Sequence, residues 1–318
     1  MLSATAAVLL SVTFTILYVL PFYFSPTTQP SPTLSRDAPS VIRARIRFVS
    51  TSVAFCSIFT IYLLSIRGHL ESTSIAHYLG WYPIAPSTIG SVTFLTAILF
   101  TGPLFERAVI DSGWRQWMQG KPLYETLSSW IGWRNLVAGP ITEEVLFRSL
   151  LLSLHLLIRP APSPSTLIFA TPLYFGIAHI HHFYEYTLTH PFTPIFPALL
   201  RSVFQFGYTT VFGWYTTFLF LRTGNVWGVI LVHSFCNWLG LPRIWGRVGG
   251  VTIEGGVVGA PLRGKEDEDR NEKVERSPGI AWTVAYYALL ALGAVTWWKS
   301  LWVLTASDQA LLDIGTAH

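Results

Sequence analysis

Residues 138–158 read AGPITEEVLFRSLLLSLHLLI. Gly139-Pro140 would open a helix, Thr142 is the expected N-cap, and Glu143 and Glu144 would fall in the first turn. An apolar run long enough for lipid then follows. A charged side chain at the centre of a bilayer costs about 2.5–3.5 kcal/mol on the insertion scale, so three in one such segment call for a reason. A helix N-terminus favours negative charge, and capping with an ion pair supplies part of that reason. Spacing separates the two acids. Glu144 and Arg148 are four residues apart, on one helix face, and can pair. Glu143 is turned by about 100° from Glu144 around the helix, which leaves it available to face a cavity.

The rest of the chain explains the setting. Its 318 residues are 51% hydrophobic and 15% aromatic, with only 12% charged. That is about half the charged share of a soluble domain, and the mean hydropathy is +0.45. The composition excludes an ordinary soluble globular protein. A hydrocarbon core takes about 20 helical residues to cross. Eight stretches approach that length: 2–24, 48–66, 88–104, 142–158, 165–183, 203–221, 225–241 and 280–304. The first lacks the basic start of a signal peptide and reads as a span. The fold expected is all-α, a polytopic membrane bundle of about eight helices forming one domain over 1–318. Loops are expected at 25–46 and 243–279. Loops after the odd-numbered spans carry 16 of the 21 Lys and Arg residues. The positive-inside bias therefore puts those loops in the cytosol and both termini on the other side. The run KEDEDRNEKVER (265–276) mixes both signs and reads as a solvated loop. Cys56 and Cys236 offer neither disulfide nor zinc spacing.

Two further segments bring polar groups into apolar surroundings. YFGIAHIHHFYE (174–185) places His179 deepest, with Phe175 one turn earlier on the same face, and His181 and His182 nearer the cytosolic end. Glu185 is expected at the rim or as a helix-end partner. VHSFCNWLG (232–240) sets His233 and Asn237 four residues apart on one face. Such groups serve as interhelical hydrogen-bond glue or as donors to a developing oxyanion. A carboxylate with a histidine can deprotonate water, and His with Asn can steady a tetrahedral intermediate. That inventory suits amide hydrolysis.

Other chemistries use the same residues. Glu143, His179 and His233 could form a His₂Glu zinc site, although H-E-x-x-H is absent. No G-x-S-x-G supports a serine nucleophile, and Cys236 has no aligned base. Intramembrane Glu, His and Arg also mark transporters and proton relays.

Taken in order, EExxxR (143–148), FxxxH (175–179) and HxxxN (233–237) resemble the motif set of the type II CAAX prenyl endopeptidases, within the wider CPBP/Abi membrane proteases. The resemblance covers about residues 130–245. It implies removal of the last three residues from farnesylated or geranylgeranylated CaaX proteins, Ras-type small GTPases among them. The setting implied is the endoplasmic reticulum membrane, with a catalytic cavity open to cytosol and lipid. It further implies that Glu143 and His179 activate water, that His233 and Asn237 form the oxyanion site, and that Glu144 and Arg148 support them. No cofactor is expected.

Overall fold

The computed structural model describes residues 2–249 and 278–315; the charged run 265–276 lies outside the described residues. Among these the chain is helical, and its one β-type contact is an isolated bridge between Leu2 and Ile158.

Helix α1 (Ala4–Val19) is capped by Ser3, whose hydroxyl accepts from the Ala6 amide at 3.2 Å. Helix α2 (Pro39–Gly68) begins on a proline and ends at His69 in the left-handed region, φ 52°. The connector expected over 25–46 is thus helical from residue 39. Thirty residues of helix reach about 45 Å, more than a hydrocarbon core of roughly 30 Å. The basic opening turns of α2, with Arg43, Arg45 and Arg47, therefore have room to stand outside it. Helix α3 (Pro86–Leu99) stops at Phe100, and the chain turns by 80° into Thr101–Ile110. The Gly102-Pro103 pair sits at this bend, where proline cannot continue the hydrogen-bond ladder.

Helix α4 is one helical run built of pieces: Trp130–Trp133, a π-turn over Arg134–Ala138, Gly139–Glu144, a second π-turn over Val145–Leu150, and Leu151–Leu156. This corrects the expected helix start. Thr142 does not cap a terminus; its hydroxyl donates back to the Ala138 carbonyl at 2.7 Å. Glu143 and Glu144 lie in mid-helix, so a free helix end does not account for their charge. Helix α5 (Pro164–Ala170) gives way at Thr171 to α6 (Pro172–Ala178), and α7 (His181–Thr189) follows. Pro172 removes a ladder donor and breaks the stretch expected as one span over 165–183. The long α8 (Ile195–Thr223) ends at Gly224, φ 57°, a conformation that favours glycine at a helix C-terminus. Asn225 then caps α9 (Val226–Leu239), its side-chain oxygen accepting from the Gly228 amide at 2.9 Å. Last comes α10 (Ile280–Leu304), with the bounds expected from the sequence.

Among the described residues, three helices qualify by length and composition to cross a membrane (residues 4–23, 39–68 and 280–304), or four if the bent pair counts as one span. The expected eight do not all appear as single long apolar helices, because π-turns and prolines divide the central ones. Exposed Leu9, Ile16, Phe55, Ile58, Leu292 and Trp298 on α1, α2 and α10 suit a lipid surround. One buried cluster joins α1, α2 and α4 through Phe14, Val53, Leu146, Phe147 and Leu150. A second joins α3, α8 and α9. Helix α6 meets α8 closely: a methyl group at Gly213 would lie 2.6 Å from Pro172 Cβ and 3.3 Å from an Arg148 guanidinium nitrogen. This close approach holds FxxxH against the Glu144–Arg148 pair.

Candidate active site

The pairing read from the sequence is present. Arg148 Nη1 donates to Glu144 Oε1 at 3.2 Å, and its Nε lies 3.2 Å from Oε2. Both side chains are sealed off, 0% and 1% exposed. The Arg148 guanidinium lies over the rings of Phe175 and Phe212, 4.4 and 5.8 Å from their centroids, so its apolar walls are aromatic faces that attract a cation.

Sequence spacing could not show the third member of this group. His233 Nδ1 donates to Glu144 Oε1 at 2.6 Å, across 89 residues. A carboxylate on Nδ1 fixes the tautomer and orients the ring. The other ring nitrogen, Nε2, then lies 3.7 Å from Glu143 Oε2. Glu144 therefore holds both Arg148 and His233, and His233 bridges the two acids. Glu143 is the acid without an arginine, and its side chain is 21% exposed. Its Oε1 is approached from α1 by the Tyr18 hydroxyl at 3.5 Å.

His179 keeps its ring against Phe175, with centroids 4.6 Å apart, and its Nδ1 contacts the Phe175 carbonyl at 2.8 Å. That contact makes Nδ1 the protonated nitrogen in a neutral ring and leaves Nε2 as the acceptor. No hydrogen bond links His179 to Glu143 among the described residues. Asn237 is exposed, and its amide donates to the Asn135 carbonyl at 2.9 Å. The adjacent Ser234 hydroxyl donates to the Leu136 carbonyl at 2.9 Å. Both bonds tie α9 to the first π-turn of α4, whose wider ladder frees carbonyls for outside donors. Cys236 is half-buried and unpaired by disulfide.

Of the two readings for Glu185, rim residue or helix-end partner, the structure shows a buried partner. It is 3% exposed and gathers Arg45 at 2.7 Å, Arg36 at 3.4 Å and His182 at 3.2 Å. Burial disfavours its charged form, but the His182 hydrogen bond and the two guanidiniums outweigh that and hold the carboxyl well below its usual range. A depressed carboxyl contributes stability above its unfolded value near 4.5, and that contribution is lost as pH falls below it. Thermal stability in detergent is thus expected to drop below about pH 4.5 in the wild type, and to drop less in Glu185→Gln. Equal acid sensitivity of the two proteins would contradict this role. Among the described residues, His181, His182 and Glu185 form the group whose metal-ligating atoms lie within 4.8 Å of one another. Its one carboxylate already neutralises two arginines, a poor setting for a cation. The set weighed for zinc from the sequence, Glu143, His179 and His233, does not form such a group.

Residues 125–239 match the family described as type II CAAX prenyl endopeptidase Rce1-like. The chain is 39% identical over 243 residues to the probable CAAX prenyl protease 2 of Schizosaccharomyces pombe, covering 76% of this chain and 83% of that protein. It is 30% identical over 305 residues to CAAX prenyl protease 2 of Saccharomyces cerevisiae, covering 88% and 89%. With human CAAX prenyl protease 2 it shares 33% identity over 218 residues, 66% of this chain and 65% of that one. No solved structure gives a significant match.

Proposed function

The chain belongs to the CAAX prenyl protease 2 family, and from that premise we propose how it acts: a water activated by Glu143 cleaves the bond that releases the last three residues of a prenylated CaaX protein. The protein is a membrane peptidase of the CAAX-processing type. The observation that carries the mechanism is the unequal partnering of the two acids. Glu144 is committed to Arg148 and His233, while Glu143 is partly exposed with His233 Nε2 3.7 Å away.

In this mechanism the water oxygen bonds to the scissile carbonyl carbon as its proton passes to Glu143. His179, through Nε2, accepts a hydrogen bond from the same water and orients it. The carbonyl oxygen becomes an oxyanion beside His233 and Asn237. Asn237 has one amide hydrogen on Asn135 and a second to offer. His233 keeps Nδ1 on Glu144 and donates to the oxyanion from Nε2 when its ring carries both protons. The C–N bond then breaks, and the proton held by Glu143 goes to the leaving amine. Atoms and charge balance with no metal in the scheme.

Substrates on this reading include farnesylated and geranylgeranylated proteins of the Ras type, met at the endoplasmic reticulum with the active site facing the cytosol and the termini lumenal. The basic start of α2 and the Arg36–Arg45–Glu185 group support that orientation. The prenyl chain stays in lipid, where burial contributes roughly 0.8 kcal/mol per CH₂, so it dominates affinity over the tripeptide. The test uses purified protein in detergent with a farnesylated CaaX peptide, read by mass spectrometry. Release of an intact tripeptide, unchanged by a chelator, is the expected result. No cleavage under any condition would end the peptidase reading, and chelator inhibition reversed by zinc would end the metal-free one.

A further inference from the structure

The Tyr18 hydroxyl is 3.1 Å from Thr142 Oγ1 and 3.5 Å from Glu143 Oε1. Tyr18 belongs to α1, outside the residues matched by the family model. Its side chain is buried, with its ring edge-on to Phe147 at 5.7 Å. A tyrosine buried against an apolar helix face normally brings its O–H to a partner. Here it has two, and they differ in what they can do.

Thr142 has a single hydroxyl hydrogen, and that hydrogen is spent on the carbonyls of α4, 2.7 Å from Ala138 O and 3.2 Å from Gly139 O. Toward Tyr18 its oxygen is therefore an acceptor. Glu143 has no fixed role, since as an ionised carboxylate it only accepts, and as a carboxylic acid it also donates. A general base passes through both states in each turnover. Tyr18 carries one proton and two lone pairs, and rotation about its C–O bond serves both states without moving a heavy atom.

We propose that Tyr18 is a positioning residue for Glu143, its hydroxyl donating to the ionised carboxylate and turning to donate to Thr142 while it accepts from the protonated carboxyl. The order of hydrogen bonds in the second state is Glu143 to Tyr18 to Thr142 to Ala138, each donor matched to one acceptor. The carboxyl thus stays aimed at the water site before and after it takes the proton. The proposal rests on Glu143 being the base. A hydrogen bond to a charged group is worth about 1.5–3 kcal/mol, on the order of 10- to 100-fold in rate when lost.

The test compares full-length wild type, Tyr18→Phe, Thr142→Val, the double variant and Glu143→Gln on one farnesylated CaaX peptide. Tyr18→Phe keeps the ring and its packing. The expected result is a kcat lowered by about tenfold or more with KM little changed, and a melting temperature near that of wild type. The acidic limb of the pH–rate profile moves to higher pH. Thr142→Val also lowers kcat, and the double variant is no slower than the slower single one, because both act through one switch. A wild-type kcat and pH profile for Tyr18→Phe, with Glu143→Gln inactive, would overturn the role of Tyr18 alone. Additive losses in the double variant would overturn the shared switch. An active Glu143→Gln would overturn this proposal together with the reading beneath it.

Discussion

Glu143→Gln is expected to lower turnover of a farnesylated CaaX peptide by on the order of 10³-fold, within the range general bases contribute. The substitution changes one atom. Glutamine keeps the length and shape of the side chain, still accepts from Tyr18, and still fits beside His233. It has no basic oxygen to take a proton from water. Melting temperature and peptide affinity are therefore expected to stay close to wild type while kcat falls. The proposal rests on this acid rather than its neighbour because Glu143 is 21% exposed and without an arginine, whereas Glu144 is sealed. A wild-type kcat in Glu143→Gln would show that Glu143 is not the base and would end this mechanism.

Glu144→Ala is expected to destabilise the protein outright, by about 3–5 kcal/mol, the usual consequence of removing one partner from a buried ion pair. Arg148 would be left 1% exposed with no carboxylate, and His233 would lose its 2.6 Å contact. Replacing both members of a buried pair by apolar side chains is often neutral. Glu144→Leu with Arg148→Met is accordingly expected to regain much of the lost melting temperature. Activity is not expected to return with it, because nothing would then hold His233 in register with Glu143. Thermal unfolding in detergent, followed beside peptide cleavage, separates the two effects. Recovery of both together would show that Glu144 acts on stability alone.

What could be read from the sequence, and what could not, divides along sequence distance. The Glu144–Arg148 pair is local, four residues apart, and spacing alone gave it. The ordering of EExxxR, FxxxH and HxxxN gave the family, and the bounds of α10 follow from one uninterrupted apolar run. The Tyr18–Glu143 contact spans 125 residues and His233–Glu144 spans 89. Neither has a periodic signature, because helix packing rather than helix pitch creates it. The two π-turns bracketing Gly139–Glu144 were also silent. The Gly-Pro-Ile-Thr opening looks like a helix start, and it is the continuity from Trp130 that overrides it. For Glu185 the sequence left rim residue and helix-end partner open, because its arginines come from a distant loop and from α2. The breaks within the central apolar stretches were hidden for a related reason, since Pro172 and the π-turns divide stretches whose average hydropathy is continuous.

In the proposed mechanism, water held by Glu143 attacks the substrate directly. A single turnover of the wild-type enzyme in H₂¹⁸O, with enzyme in excess over a farnesylated CaaX peptide, tests it most directly. The expected result is one ¹⁸O in the new carboxylate of the prenylcysteine product and none in the Glu143 side chain. Label in the peptide that carries Glu143, with unlabelled product from the first turnover, would show instead that the carboxylate attacks as a nucleophile.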